Sequence, residues 1–254
     1  MPVRVLYIGD SETVISRYCV GADVFEQSYF NDNGKYLRNA LAGRTDVAIT
    51  HIIPANVPAE FPATDDALAA YDVVVFSDVG YNSMLFYPGL TPPYTYPLGR
   101  DRCRMVADFV RNGGGFVMVG GYLSFAGFNG IARYHGTVIE EILPVAVTPW
   151  DDRVEMVEGF RPEIVDPAHP VVANCDWASA SFTMCGYNRV TLKDGARLVA
   201  RHGSDPIIAT STFGAGRTAV FATDFAPHWG GDFIHWPGYA DFWARLFTWL
   251  ANPK

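Results

Sequence analysis

Apolar positions fall along the chain in short runs that alternate with helical stripes. Val3 to Ile8 is an apolar run ending in Gly9-Asp10, as buried parallel strands do; Tyr36, Leu37, Ala40 and Leu41 then recur at helical spacing up to Gly43. Val47 to Ile53 predicts a second strand, Thr64 to Ala70 a short helix with Thr64 as its N-cap, and Val73 to Phe76 a third strand. After a proline-rich loop over residues 88–97, Met105, Val106, Phe109 and Val110 form one face of a helix. Asn112 and three glycines stop it, and Phe116 to Val119 follows as the fourth strand. Right-handed crossovers turn this order into an α/β doubly wound, mainly parallel sheet. From Val145 to Val157 and from Arg197 to Phe221 the pattern is β-rich and punctuated by turns, which predicts hairpins or a meander extending the same sheet. Tyr239, Phe242, Trp243, Leu246, Phe247 and Leu250 make the wide apolar stripe of a last helix packed on that sheet. No linker interrupts the pattern, so residues 1–254 read as one domain.

Composition narrows the function classes. With 254 residues, 49% of them hydrophobic, the chain can bury a large core. A formal charge of -8 leaves no basic stripe to displace counterions from phosphates, so no nucleic-acid partner is expected. The Arg100, Arg102, Arg104 cluster, interrupted by Asp101, reads as a solvated helix start. No apolar segment is long enough for a membrane span, MPVRVLYIGD has no signal-peptide pattern, and the scattered Cys19, Cys103, Cys175 and Cys185 lack CxxC spacing. A reducing cytoplasm is the expected setting.

Ligands of such sheets bind outside the carboxyl ends of the strands. Four loops should meet there: Gly9 to Glu12, Ser77 to Ser83, Gly120 to Ser124, and Asp224 to Gly230. The segments SDVGYNS (Ser77 to Ser83), MVGGYLSFAG (Met118 to Gly127), ILP (Ile142 to Pro144), DDRVE (Asp151 to Glu155), GYN (Gly186 to Asn188) and TDFAPHWG (Thr223 to Gly230) resemble the signature segments of a little-characterised glutamine-amidotransferase-like family. That family belongs to the class I amidotransferase-like superfamily, and the resemblance implies a flavodoxin-like topology. It implies little about activity, because the family name rests on shape.

True class I amidotransferases carry Gly-x-Cys-x-Gly at the turn after the strand and a His-x-Glu pair near the C-terminus. There the cysteine attacks the glutamine amide, activated by the other two. In this chain Tyr122 or Leu123 falls at the cysteine position, and His228 is followed two residues on by Gly230. What remains is a polar set. His228 suits general acid/base work, Asp224 is near enough in sequence to orient it, and Tyr122 offers a phenol. Asp78 and Asn82 suit recognition of hydroxyls or amides; Gly121 lets the backbone approach a ligand; Ser124 suits anion binding or a helix cap; and Trp229 suits stacking on a sugar-like face. Asp151, Asp152 and Arg153 read as an ion pair or a subunit contact, since neighbours on a strand point to opposite faces. Asp10, Asp78, Asp224 and His228 lack the spacing of HExxH or a facial triad, and Gly214-Ala215-Gly216 has no following helix, so neither metal nor dinucleotide cofactor is expected.

Two functions stay open: an enzyme acting on a small polar metabolite, a carbohydrate or an amide, by acid/base chemistry; or a non-catalytic ligand-binding or assembly subunit. Six tryptophans, Tyr94 and Tyr96 in the proline-rich loop, and the aromatic stretch Phe233 to Tyr239 predict exposed apolar surface and hence a homo-oligomer. With no cysteine from Gly121 to Ser124, the purified protein should show no cysteine-dependent glutaminase activity. A glutamine-mimicking electrophile should leave this loop unlabelled, and labelling at Cys185 with loss of activity would overturn the expectation.

Overall fold

The computed structural model describes residues 1–86, 99–177 and 180–251. The predicted 88–97 loop, with Tyr94 and Tyr96, lies outside the described residues. The chain begins with β1 (Val3–Gly9), a hairpin of β2 (Ser11–Val20) and β3 (Asp23–Asp32), α1 (Lys35–Leu41) and β4 (Val47–Ile52). Short helices α2 (Val57–Glu60) and α3 (Asp65–Leu68) lead into β5 (Val73–Ser77); then come α4 (Tyr81–Leu85), α5 (Arg102–Arg111) and β6 (Gly115–Val119). The second half runs through α6 (Val138–Ile142), β7 (Val145–Ala146), β8 (Arg153–Phe160), β9 (Glu163–Ile164), β10 (Met184–Asn188) and β11 (Thr191–Leu192). It continues through β12 (Arg197–His202), β13 (Asp205–Phe213), β14 (Gly216–Phe221) and α7 (Pro227–Gly230) to α8 (Tyr239–Leu250).

Eight strands form the main sheet in the order β4-β1-β5-β6-β14-β13-β12-β9. The first five run parallel and have the flavodoxin-like order, with the topological switch between β1 and β5. All residues of β5 and β6 and the last five of β1 are buried, because helices cover both faces. Strands β13, β12 and β9 extend the sheet antiparallel, as the turn signals predict. Thr64 caps α3 by accepting from Ala67 N, and Asp101 caps α5 by accepting from Cys103 N and Arg104 N. The stripe of α8 is core: Phe242, Trp243, Phe247 and Leu250 are fully buried.

Four readings of the sequence are corrected. Residues 11–32 form a hairpin between β1 and α1, so Ser11-Glu12 opens a strand rather than a short loop. Strand β8 leaves the main sheet and pairs antiparallel with β10, and β7 pairs with β11. Phe233 and Tyr239 are buried in an aromatic cluster instead of exposed. Arg102 is not solvated: its buried guanidinium donates to the carbonyls of Met84, Phe86 and Pro58, fixing the ends of α4 and α2 against α5. Arg102→Met keeps the volume but strands those carbonyls, and should cost about 2–4 kcal/mol in urea unfolding, where wild-type stability would show that water replaces the guanidinium.

Candidate functional site

The carboxyl ends of β1, β5 and β14 each deliver an aspartate to one rim: Asp10, Asp78 and Asp224. Asp10 and Asp78 both adopt left-handed backbone, with φ of 52° and 46°. For a residue with a Cβ this conformation persists only when its surroundings enforce it. At Asp78 two neighbours from the β6 turn do so: its N–H donates to Ser124 Oγ at 3.0 Å, and Leu123 N–H donates to its Oδ1 at 2.5 Å. Gly121, at φ 145°, lies against the same carboxyl, and a Cβ there would stand 2.8 Å from Asp78 Cγ and Oδ1. The Gly-Gly turn therefore makes room for an aspartate.

Burial, then the neighbouring Asp224, raise the Asp78 carboxyl to about 7, although it keeps partial contact with solvent. Asp10, behind it, is buried and accepts a hydrogen bond from the Tyr7 hydroxyl. Burial, with Asp224 and Asp78 nearby, pushes its carboxyl well above the usual carboxylate range.

Asp224 does two things. Its Oδ1 accepts from Ala226 N at 2.9 Å, shaping the turn into α7, and its Oδ2 stands 3.6 Å from His228 Nδ1. That separation is a charge contact rather than a hydrogen bond. The Asp224 carboxylate nonetheless raises the His228 pKa above the usual 6.5, outweighing burial, and Asp78 adds to it. The His228 side chain is 41% exposed. Its ring meets the Tyr122 ring edge to face at a centroid distance of 4.5 Å and stacks beside Trp229.

One carboxylate closes the far side. Glu155 Oε1 accepts from the Tyr122 hydroxyl and Oε2 from Trp229 Nε1, each at 3.0 Å. Glu155 can reach both because β8 places it opposite Gly186 of β10, against which the indole of Trp229 lies. Burial and the Glu155 bond raise the Tyr122 pKa, which keeps its hydroxyl a neutral donor.

The rest of the DDRVE segment holds the loop that carries Tyr122. Asp151 pairs with Arg153 at 2.7 Å and accepts from Asn129 N, and the Arg153 guanidinium lies 3.8 Å from the Phe128 ring centroid. Buried Asp152 accepts from Ala126 N, Gly127 N and Asn188 Nδ2 at 2.8–2.9 Å. Asn188, wholly buried, accepts from Gly121 N and donates to Gly121 O. Two further concavities lie near this framework or away from it: one of about 370 Å³ lined by Trp150, Asp151, Arg153 and Arg189, and one of about 440 Å³ lined by Arg44, Asp241 and Trp249.

Compared with known proteins, residues 4–252 match the model of a family, GATase1-like, described as "Putative glutamine amidotransferase". The chain belongs to the GATase1-like family. Among solved structures, this GATase1-like chain is similar to the cytoplasmic protein STM3548 from Salmonella typhimurium, with 34% identity over 98% of this chain and 99% of that one and a TM-score of 0.91. The cytoplasmic protein STM1381 from Salmonella typhimurium LT2 gives 32% identity, coverage of 98% and 99%, and a TM-score of 0.89. A β-galactosidase from Rahnella sp. R3 shares the fold alone, at 15% identity over 86% of this chain and 27% of that one, with a TM-score of 0.52. No curated protein matches the chain.

In this GATase1-like chain no cysteine stands in the turn after β6, and glycine stands two residues after His228. The turn after β6 presents Tyr122 to His228, and position 230 cannot take a glutamate in place, because any Cβ there would stand 2.8 Å from the carbonyl oxygen of Asp224. Of the residues singled out from the sequence, Asp78, Gly121, Tyr122, Ser124, Asp224, His228 and Trp229 share one connected network. Asn82 turns to Arg133, which donates to its Oδ1 at 3.4 Å. Trp229 is fully buried, so stacking on a ligand face is corrected to a wall beneath His228. Ser124, also buried, serves the backbone of Asp78 instead of an anion. Glu155, Asp152 and Asn188 join the site beyond the residues expected from the sequence, where the one-apart spacing of Arg153 and Glu155, which puts both on one strand face, is the signal that points to Glu155.

Asp78, Asp152 and His228 titrate with one sign, opposite to that of His51 and His169, whose imidazoles burial holds below the usual value. Asp78 holds its proton to about pH 7 when folded, whereas an unfolded aspartate loses it near 3.8, so its contribution is complete in acid and is lost as pH rises through about 7. Asp152, raised to about 6 mainly by burial, behaves alike, and the His228 contribution is lost as pH rises past its raised pKa. Urea unfolding of the wild type and of Asp78→Asn at pH 5 and pH 8 separates the Asp78 share from that of the opposing histidines. Asp78→Asn should lower stability at pH 5 relative to pH 8 by about 1–2 kcal/mol against the wild type, and an identical pH dependence in the two proteins would refute the assignment.

Proposed function

We propose that this chain is an acid/base enzyme acting on a small, uncharged polar metabolite, a carbohydrate or an amide, at the strand-end rim. The observation that carries this reading is a pair of proton carriers. Asp78, titrating near 7, and His228, with its raised pKa, are close enough for each to perturb the other at a rim open to solvent. Asp224 faces His228 Nδ1, which leaves Nε2 to exchange a proton with substrate. Leu123 N–H occupies Asp78 Oδ1, which leaves Oδ2 to carry the other proton. Tyr122 forms the wall between them and Glu155, with Trp229 behind it. Carboxylates outnumber cations on this rim, which favours a neutral substrate over an anionic one. The exposure of His228 supports catalysis over a purely binding role, for which a sealed imidazole bonded through both nitrogens would be expected. Two similar structures are described as cytoplasmic proteins, and we place the reaction in the cytoplasm.

A thermal-shift screen of neutral metabolites against the wild type identifies the ligand, and turnover of each hit is then followed against pH. The expected result is a rate optimum near neutrality, with Asp78→Asn and His228→Ala each lowering kcat by about 100-fold or more while the hit still binds. A hit that binds and is never turned over would replace the catalytic reading with a ligand-binding one.

A further inference from the structure

The DDRVE segment has a side that the rim does not use. Asp151, Asp152 and Arg153 also line the concavity of about 370 Å³ that runs from Thr148 and Trp150 to Arg189, a volume within the range of about 300–1,000 Å³ that small ligands occupy. Trp150 is 74% exposed, and among the described residues it is the one exposed tryptophan. An indole that lines a concavity and stays open to water is apolar surface for a ligand to cover. The charges beside it are already matched. Asp151 pairs with Arg153 at 2.7 Å, and Arg189 Nε donates to Asp205 Oδ2 at 3.0 Å. Buried Asp152 accepts from two backbone N–H groups and from Asn188 Nδ2. Each guanidinium in the wall thus faces a carboxylate, which an anionic ligand would have to displace.

We propose that this concavity is a saccharide subsite: it holds the non-reacting ring of the rim's substrate, and so narrows that substrate from a carbohydrate or an amide to a neutral saccharide of two or more rings. The inference rests on the reading of the rim as a catalytic site. Two features select a sugar. A hydroxyl both donates and accepts, and each Arg–Asp pair sets donors beside acceptor oxygens, so neighbouring hydroxyls of one ring are satisfied together. The C–H face of the same ring is apolar and covers an indole. A small amide brings the polar half of that match without the apolar face. Arg153 joins the concavity to the rim: its guanidinium lies 3.8 Å from the Phe128 ring centroid and 5.2 Å from that of Tyr122, and Tyr122 in turn meets His228 at 4.5 Å. One aromatic ring therefore separates the concavity from the proton carriers. A ring held at Trp150 fixes the register of the next ring against His228, which is how contacts remote from the reacting bond serve catalysis.

Isothermal titration calorimetry on the full chain tests it, with maltose, cellobiose, lactose, sucrose and trehalose as two-ring probes and glucose and galactose as single rings. At least one two-ring probe should bind about 10-fold or more tightly than either single ring. Trp150→Ala should weaken that binding by about 10-fold or more, while Trp150→Phe, which keeps an aromatic face, should hold it within about 3-fold. So exposed a side chain can be replaced without loss of the core. Tryptophan emission should shift on binding in the wild type and stay fixed in Trp150→Phe. A probe bound through Trp150 but never turned over by the wild type supports the subsite and removes the catalytic reading. Turnover of a screened metabolite with a KM that Trp150→Ala leaves unchanged does the reverse. The proposal is also overturned if no two-ring probe binds, or if Trp150→Ala binds as tightly as the wild type. Glucose 6-phosphate bound in preference to every neutral probe, and lost in Arg189→Gln, would overturn it in favour of an anion site.

Discussion

Both backbone groups of Gly121 are held by one side chain. The Asn188 amide accepts from its N–H and donates to its carbonyl, and the same Nδ2 donates to Asp152, all of it out of contact with water. Buried hydrogen bonds involving a charged partner are worth about 1.5–3 kcal/mol each, and losing one partner leaves the others unsatisfied, so this clamp behaves as a unit. Everything on the rim is placed from it. Gly121 sets where Leu123 and Ser124 stand, those two hold Asp78 in its left-handed conformation, and Asp78 with Asp224 sets the charge around His228.

The clamp also joins two layers. Asn188 ends β10, whose partner β8 carries Glu155, while Gly121 follows β6 of the main sheet. Glu155 bridges a tyrosine from the main-sheet turn and a tryptophan from α7. The rim is therefore a seam between the parallel sheet and the β8–β10 pair, and it exists only while the two are docked.

Local pattern makes the parallel half legible. Apolar runs mark β1, β5 and β6, the Gly-Gly turn marks the loop after β6, and Asp78, Asp224 and His228 follow because strand ends in this topology converge. The remainder depends on contacts distant in sequence. The hairpin from Ser11 to Asp32 is illegible locally, because its apolar side chains lie on both faces and so give no inward-outward alternation. Glu155 gains its role from the register that sets it opposite Gly186, and Trp229 and Arg102 take their burial from neighbours 74 and 16–44 positions away. Short-range periodicity carries none of that.

The backbone contact at Gly230 bears on how such a chain changes over generations. A cysteine in place of Tyr122 would remove the aromatic that bridges His228 and Glu155, and a glutamate two residues after His228 would first require moving the carbonyl of Asp224. Neither substitution helps without the other, and each alone damages the present arrangement. An amidotransferase-like arrangement is thus separated from the present packing by two side-chain changes and a shift of backbone.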